Sequence, residues 1–230
     1  TPPVPRDLPP LDPADDPEAT DDNEFDPPKP KIRIKLRDGK HRSIQHMSST
    51  TFFDADGKPM SAQQFIARLF DTLTLPEFFT SEEALRAVWS VPETRLHLLN
   101  RLDEAGFSRD ALREIQKLIE AQYSDLFDVL EYVAYARDPM TRAERVTASR
   151  LSLERSLDGR QLEFVDFVLT QYVESGVDEL GSDKLATLLE LKYDSISEGI
   201  AALGGADTAR AVFVNFQKHL YEPTPTVGVG

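Results

Sequence analysis

Residues 124–136, SDLFDVLEYVAYA, decide how the rest of the chain folds. Leu126, Phe127, Val129, Leu130, Val133 and Ala134 cover most of the circumference of a helix drawn through this stretch. A helix that is apolar nearly all round is a buried one. Its three acids, Asp125, Asp128 and Glu131, sit in the first half, where the positive end of the helix dipole favours them. The stretch is too short and too acidic to span a bilayer. Asp138-Pro139 stops it, and Thr141 with Glu144 three residues on reads as the capping box of the next helix. One central rod is therefore expected, with the other helices packed on it.

Outward from the rod the chain is helical on both sides. Ser61 with Gln64 opens a helix through Phe65, Ile66, Leu69 and Phe70. Thr80 with Glu83 opens a second, through Leu85, Val88 and Trp89. Pro92 starts a third, which ends near Ala105 before Gly106, and Ser108 caps a fourth. Ser124 restarts the chain into the rod. Beyond Thr141 comes an Arg-rich helix with a thin apolar face, holding Arg142, Arg145, Arg150 and Arg155, and placed at the surface. Gly159 separates it from a core helix over 161–175. Ser182 starts a helix with Leu185, Leu188, Leu189 and Leu191 on its core stripe. Ser195 with Glu198 starts another, closed by Gly204-Gly205, and the last holds Ala209, Val212, Phe213, Phe216 and Leu220.

Charge divides the N-terminal part. The 230 residues carry a net −14, yet residues 1–28 hold nine acids and one Arg, whereas residues 29–42 hold seven Lys or Arg and one Asp. Residues 1–28, rich in Pro and Asp, have too little apolar surface to offset ordering and read as a disordered linker. From Lys29 the pattern alternates: Ile32, Ile34 and Leu36 against Lys31, Arg33, Lys35 and Arg37. That period of two marks a half-buried strand, and Asp38-Gly39 a two-residue hairpin turn within a ribbon over 31–48. The return face is undecided, because Ile44 and Met47 differ in parity. Lys31, Arg33, Lys35, Arg37, Lys40 and Arg42 make one face basic, able to meet phosphates or an acidic partner, or simply to stay solvated and guard an edge. Arg142 and Arg145 are the other candidate contacts.

Catalytic and metal motifs are sparse. The absence of cysteine excludes disulfides and thiolate sites and fits a reducing cytosol. No signal peptide and no run of some eighteen apolar residues stands in the sequence, so neither export nor a membrane partner is expected. Asp54-Ala55-Asp56-Gly57 begins like a calcium loop, but Phe65 stands where the bidentate Glu would be. His41, His46, His97 and His219 lack metal-ligand spacing, and no phosphate loop or nucleophile elbow is present. Asp178 with Glu190-Leu191-Lys192 imitates a metal-dependent nuclease set, but two positions on a helix lie about 200° apart and face opposite ways. No catalytic residue, cofactor site or metal ligand is accordingly expected in these residues. The expected fold is mainly α, a multi-helix bundle around a buried central helix with a short N-terminal β-hairpin. It spans residues 29–221 and is followed by a flexible tail over 222–230.

Several blocks together resemble a known family: RSIQHM (42–47), DGKPMSAQQFI (56–66), SDLFDVLEYVAYA (124–136), FVDFVLTQYVESGVDEL (164–180), KLATLLELKYDSI (184–196) and VFVNFQKHLY (212–221). They are similar to the C-terminal region of the restriction (R) subunit of type I restriction-modification enzymes of the EcoEI-like group. The resemblance implies a cytoplasmic assembly module docking an ATP-driven translocase and endonuclease onto methyltransferase (M) and specificity (S) subunits; the alternative, read from the basic hairpin, is an accessory domain that contacts the backbone of duplex DNA. It places ATP and Mg elsewhere in the parent subunit and carries no catalytic motif here. A first residue of Thr rather than Met is expected of a piece of that longer polypeptide.

Overall fold

Two strand pairs lead into ten α-helices in a computed structural model that describes residues 30–45, 51–54 and 56–222. The expected linker over 1–28, His46, Met47 and all of the expected tail but Glu222 lie outside the described residues.

Strand β1 (Lys31–Lys35) pairs antiparallel with β2 (His41–Gln45). The register sets Ile32 opposite Ile44 and Ile34 opposite Arg42, so these four share the inward face. Lys31, Arg33 and Lys35 share the outward face with Gln45, Ser43 and His41. The turn is a three-residue loop rather than the expected two. Leu36 N–H donates to the Lys40 carbonyl (3.1 Å), Gly39 N–H donates to the Leu36 carbonyl (3.0 Å), and Gly39 takes φ +76°. That left-handed position is what a glycine is needed for. A second pair, β3 (Phe52–Phe53) and β4 (Pro59–Met60), has no counterpart in the sequence reading. Asp54 forms its turn by accepting from Asp56 N–H and Lys58 N–H, which is a structural use of the stretch that imitates a calcium loop.

The helices follow from their caps. Ser61 and Gln64 box α1 (Ala62–Leu73). Ser81, not Thr80, caps α2 (Glu82–Trp89). Pro92 is the first residue of α3 (Pro92–Glu104), and Ser108 caps α4 (Arg109–Leu118). The rod is α5 (Leu126–Tyr135); its cap is Asp125 boxed with Asp128, one residue later than Ser124. Thr141 and Glu144 box α6 (Arg142–Ser156) as expected. Asp158 and Gln161 box α7 (Gly159–Ser175), so Gly159 lies inside the helix start and does not separate it. Two short 3₁₀ turns, Val177–Leu180 and Ser182–Lys184, precede α8 (Leu185–Tyr193). Then come α9 (Ile196–Ala202) and α10 (Ala206–Leu220).

The rod is buried on nearly every side: Phe127, Val129, Leu130 and Val133 are each fully enclosed. Helices α1, α2 and α4 pack on it directly, while α6 packs on α7 and α10 to form the facing layer. Aromatic rings join the two layers, with Trp89, Phe127 and Tyr221 in sequence at centroid distances of 5.9 and 5.2 Å. Helices α8 and α9 meet at Gly199, where a Cβ would stand 2.9 Å from both Leu189 Cδ2 and Tyr193 Cδ2. Two expectations are corrected. Leu191 is 64 % exposed, because α8 buries Leu188 and Leu189 and turns 191 outward. Helix α6 does lie at the surface, but Arg145 is not part of its solvated row: the inward row is Arg145, Ser149 and Leu153, and the thin apolar stripe is completed by this buried arginine.

Candidate functional site

The three acids of α5 recur every third residue and so share one side of a rod that is otherwise apolar. All three are buried, and each is matched from a different helix. Asp125 accepts from the hydroxyls of Tyr172 on α7 (2.9 Å) and Tyr221 just beyond α10 (2.7 Å). Burial and the neighbouring Asp125 carboxylate push both phenols well above their ordinary pKa, so they remain protonated donors. Asp128 accepts from Arg145 Nη2 (2.6 Å) and from the backbone N–H groups of Asp125 and Met140. Burial alone would lower the Arg145 pKa, but the Asp128 carboxylate overrides it and raises it, holding the guanidinium charged. That guanidinium also lies over the rings of Phe127 and Tyr221, 5.1 and 5.0 Å from their centroids. Glu131 accepts from Arg86 of α2, which also donates to Glu82. Burial pushes the Glu131 carboxyl up to about 7 against the pull of Arg86, and Asp128 and Glu82 add repulsion.

These groups border a polar cavity of about 350 Å³, lined by Glu82, Arg86, Asp128, Glu131, Arg145 and His219 among others. A raised carboxyl in a cavity is a familiar preparation for acid–base chemistry. Here Glu131 and Asp128 already face guanidinium groups, so the geometry ties helices together. Beside it, Ser152, His219 and Glu222 form a superficial likeness of a catalytic triad. Ser152 Oγ and Glu222 Oε1 both meet the same ring nitrogen, His219 Nδ1, at 2.6 and 2.9 Å. A triad needs the hydroxyl on one nitrogen and the acid on the other, so this arrangement cannot relay a proton from Ser to Glu through the ring.

The eight candidate contacts separate sharply. Arg145 is the buried partner of Asp128 and offers nothing to a partner surface. Arg42 is fully buried as well. Its guanidinium reaches the end of α5, donating from Nε to the Tyr132 carbonyl (2.7 Å) and from Nη2 to the Val133 carbonyl (2.8 Å) and Asp38 (2.9 Å). Both carbonyls belong to the last turn of the helix, where the dipole is negative; Tyr132 also accepts from Ala136 N–H (3.0 Å), so the guanidinium matters most to the Val133 carbonyl. Arg142 is half-buried and bonds the carbonyls of Val173 and Ser124. The rest remain outside: Lys31 pairs with Glu120, and Arg37 meets Asp71 at 3.3 Å. Arg33, Lys35 and Lys40 are exposed and have no ion-pair partner among the described residues. The acidic decoy also dissolves: Asp178 pairs with Arg109 and Arg113, while Lys192 lies over the Phe167 ring. Among the described residues no group of three His, Cys, Asp or Glu is placed to hold a metal, and no helix is long and apolar enough to cross a membrane.

A third feature is apolar. Leu185, Leu189, Ile196, Ile200, Ala209 and Phe213 line an open groove of about 400 Å³ between α8, α9 and α10. Sequence reasoning missed both the groove and the tyrosine pair on Asp125. The spacing of three acids inside an apolar rod was the available signal for the buried cluster, since charges there require partners.

Neither the curated proteins nor the solved structures contain a match to this chain. The family described as EcoEI R protein C-terminal matches residues 63–221, which is the helical part from the start of α1 to the end of α10. Both strand pairs, and with them the blocks at 42–47 and most of 56–66, precede that span. The match covers well over half of the chain, and by it the protein belongs to the C-terminal domain family of type I restriction enzyme R subunits.

Proposed function

We propose that this domain is the docking module through which an R subunit is held on the methyltransferase and specificity subunits of its complex. The observation that carries the reading is where the deepest charges are spent. Arg86, Arg145, Asp128 and Glu131 fasten α2, α5 and α6 to one another, giving a helical body of fixed shape. A preformed surface loses little entropy on binding, which is what an assembly platform requires. The groove between α8, α9 and α10 supplies an apolar centre for such a contact, and a helix of a partner subunit is its fitting occupant. In this reading ATP and Mg act in the rest of the subunit. The test is co-elution of the 230-residue chain with a methyltransferase–specificity complex on a sizing column. Co-elution that Ile196→Glu abolishes supports the docking role; separate elution at every salt concentration removes it.

A second reading rests on the exposed cations of the β1–β2 ribbon and its turn. Arg33, Lys35 and Lys40, unpaired among the described residues, fit the backbone of duplex DNA. Binding of that kind weakens steeply with salt, and Arg33→Glu with Arg37→Glu abolishes it; unchanged duplex affinity in that double variant excludes it.

A further inference from the structure

We infer that the groove between α8, α9 and α10 receives an amphipathic helix whose apolar stripe is flanked by Lys or Arg. The inference rests on the docking reading and adds the chemistry of the occupant. Helix α9 packs on both α8 and α10. Buried Leu189, Ala209 and Phe213 form the floor of the groove, and half-buried Leu185 and Ile200 with exposed Ile196 form its lips. The nine residues of α8 make it about 13 Å long. Residues i to i+7 of an incoming helix rise about 10.5 Å, so anchors at i, i+3 or i+4, and i+7 fit along it.

Charge decides what flanks those anchors. Residues 182–217 carry five acids, Asp183, Glu190, Asp194, Glu198 and Asp207, and three cations, Lys184, Lys192 and Arg210. Each cation is turned to another element: Lys184 meets Glu179 at 3.5 Å, Arg210 meets Glu93 at 3.7 Å, and Lys192 lies over the Phe167 ring. The five acids are all exposed, and none has an ion-pair partner among the described residues. Asp183 lines the groove itself. Glu190 stands one turn beyond Ala186, and Asp207 one turn before Arg210, both of which line it. Unpaired carboxylates therefore border an apolar centre. Such a rim repels a phosphate backbone and attracts a helix with cations beside its apolar stripe. Exposed ion pairs are individually weak and screened by salt, so the apolar anchors carry affinity and the rim selects the partner.

The probe is a designed helical peptide of about twenty residues with leucines at i, i+3, i+4 and i+7. It is made with Lys flanks, with Glu flanks, and with the Lys-flanked composition scrambled. Binding to the 230-residue chain is read by fluorescence anisotropy at low salt. The Lys-flanked helix is expected to bind about tenfold or more tighter than either of the others. Ile196→Asn, which leaves net charge unchanged, should weaken it about fivefold or more. Asp183→Asn, Glu190→Gln and Asp207→Asn together should shrink the preference for Lys over Glu flanks to about threefold or less. Circular dichroism checks that both variants keep the native helical content. Equal binding of the Lys- and Glu-flanked helices overturns the inference. So does a scrambled peptide that binds as well as the ordered one, because the net −14 of the chain then accounts for the attraction. Self-association of the chain that Ile196→Asn removes makes a second copy the occupant and overturns it as well. Co-elution with the methyltransferase–specificity complex that persists while the two peptides tie removes the basic occupant and leaves the docking role standing.

Discussion

The α5 cluster and the β1–β2 ribbon are built from the same residue types and put them to opposite uses. Arg145 and Arg42 are enclosed, each held by a carboxylate and backbone carbonyls. Arg33 and Arg37 stand in solvent within ten residues of Arg42. The difference lies in what the surrounding chain offers. An arginine is buried where a helix end or an acid in an apolar wall would otherwise go unmatched, and stays outside where neither is within reach. Inside, removing one partner leaves an uncompensated charge; outside, removal alters only the field seen by partners.

The largest effect belongs to the centre of the cluster. Asp128→Ala leaves Arg145 buried without its carboxylate and is expected to cost about 3–5 kcal/mol in urea unfolding. A cost below 1 kcal/mol would place Arg145 in contact with solvent. Next is Arg42→Met, which keeps the apolar stem but leaves the Val133 carbonyl and the Asp38 carboxylate without that donor, while the Tyr132 carbonyl keeps the Ala136 N–H. A loss of about 2–3 kcal/mol is expected, one unsatisfied group at a time. A smaller effect distinguishes Glu131. Its carboxyl titrates near 4.5 when unfolded and at about 7 in the folded protein. The folded protein thus keeps a proton that the unfolded chain has lost, so stability declines as pH rises from 4.5 through 7 and is level above that. The decline should be about 1–3 kcal/mol, and Glu131→Gln, which stays neutral, should flatten it. Least affected is the ribbon: Arg33→Glu with Arg37→Glu should shift stability by less than about 0.5 kcal/mol, while changing binding to polyanions.

The sequence made the rod legible because its apolar residues wrap the full circumference, and its neighbours legible because Ser61, Ser108, Thr141 and Ser195 announce helix starts. It also showed the two faces of β1 through strict alternation. The placement of Arg42 was hidden, since its parity on β2 depends on a three-residue loop that Asp38-Gly39 alone does not specify. The role of Arg145 was hidden for another reason. Its partner Asp128 lies 17 residues away on a different helix, and pairing across helices leaves no periodic trace. The groove at α8–α10 depends on how three short helices pack around Gly199, and Leu191 showed that a leucine run does not fix which side is covered.

The docking role is tested most directly by calorimetric titration of this chain into the methyltransferase–specificity complex at 100 and 500 mM salt. A contact centred on apolar surface should persist, with the dissociation constant rising less than about tenfold. Absence of binding at both concentrations, or a fall of a thousandfold or so such as phosphate contacts produce, would contradict it.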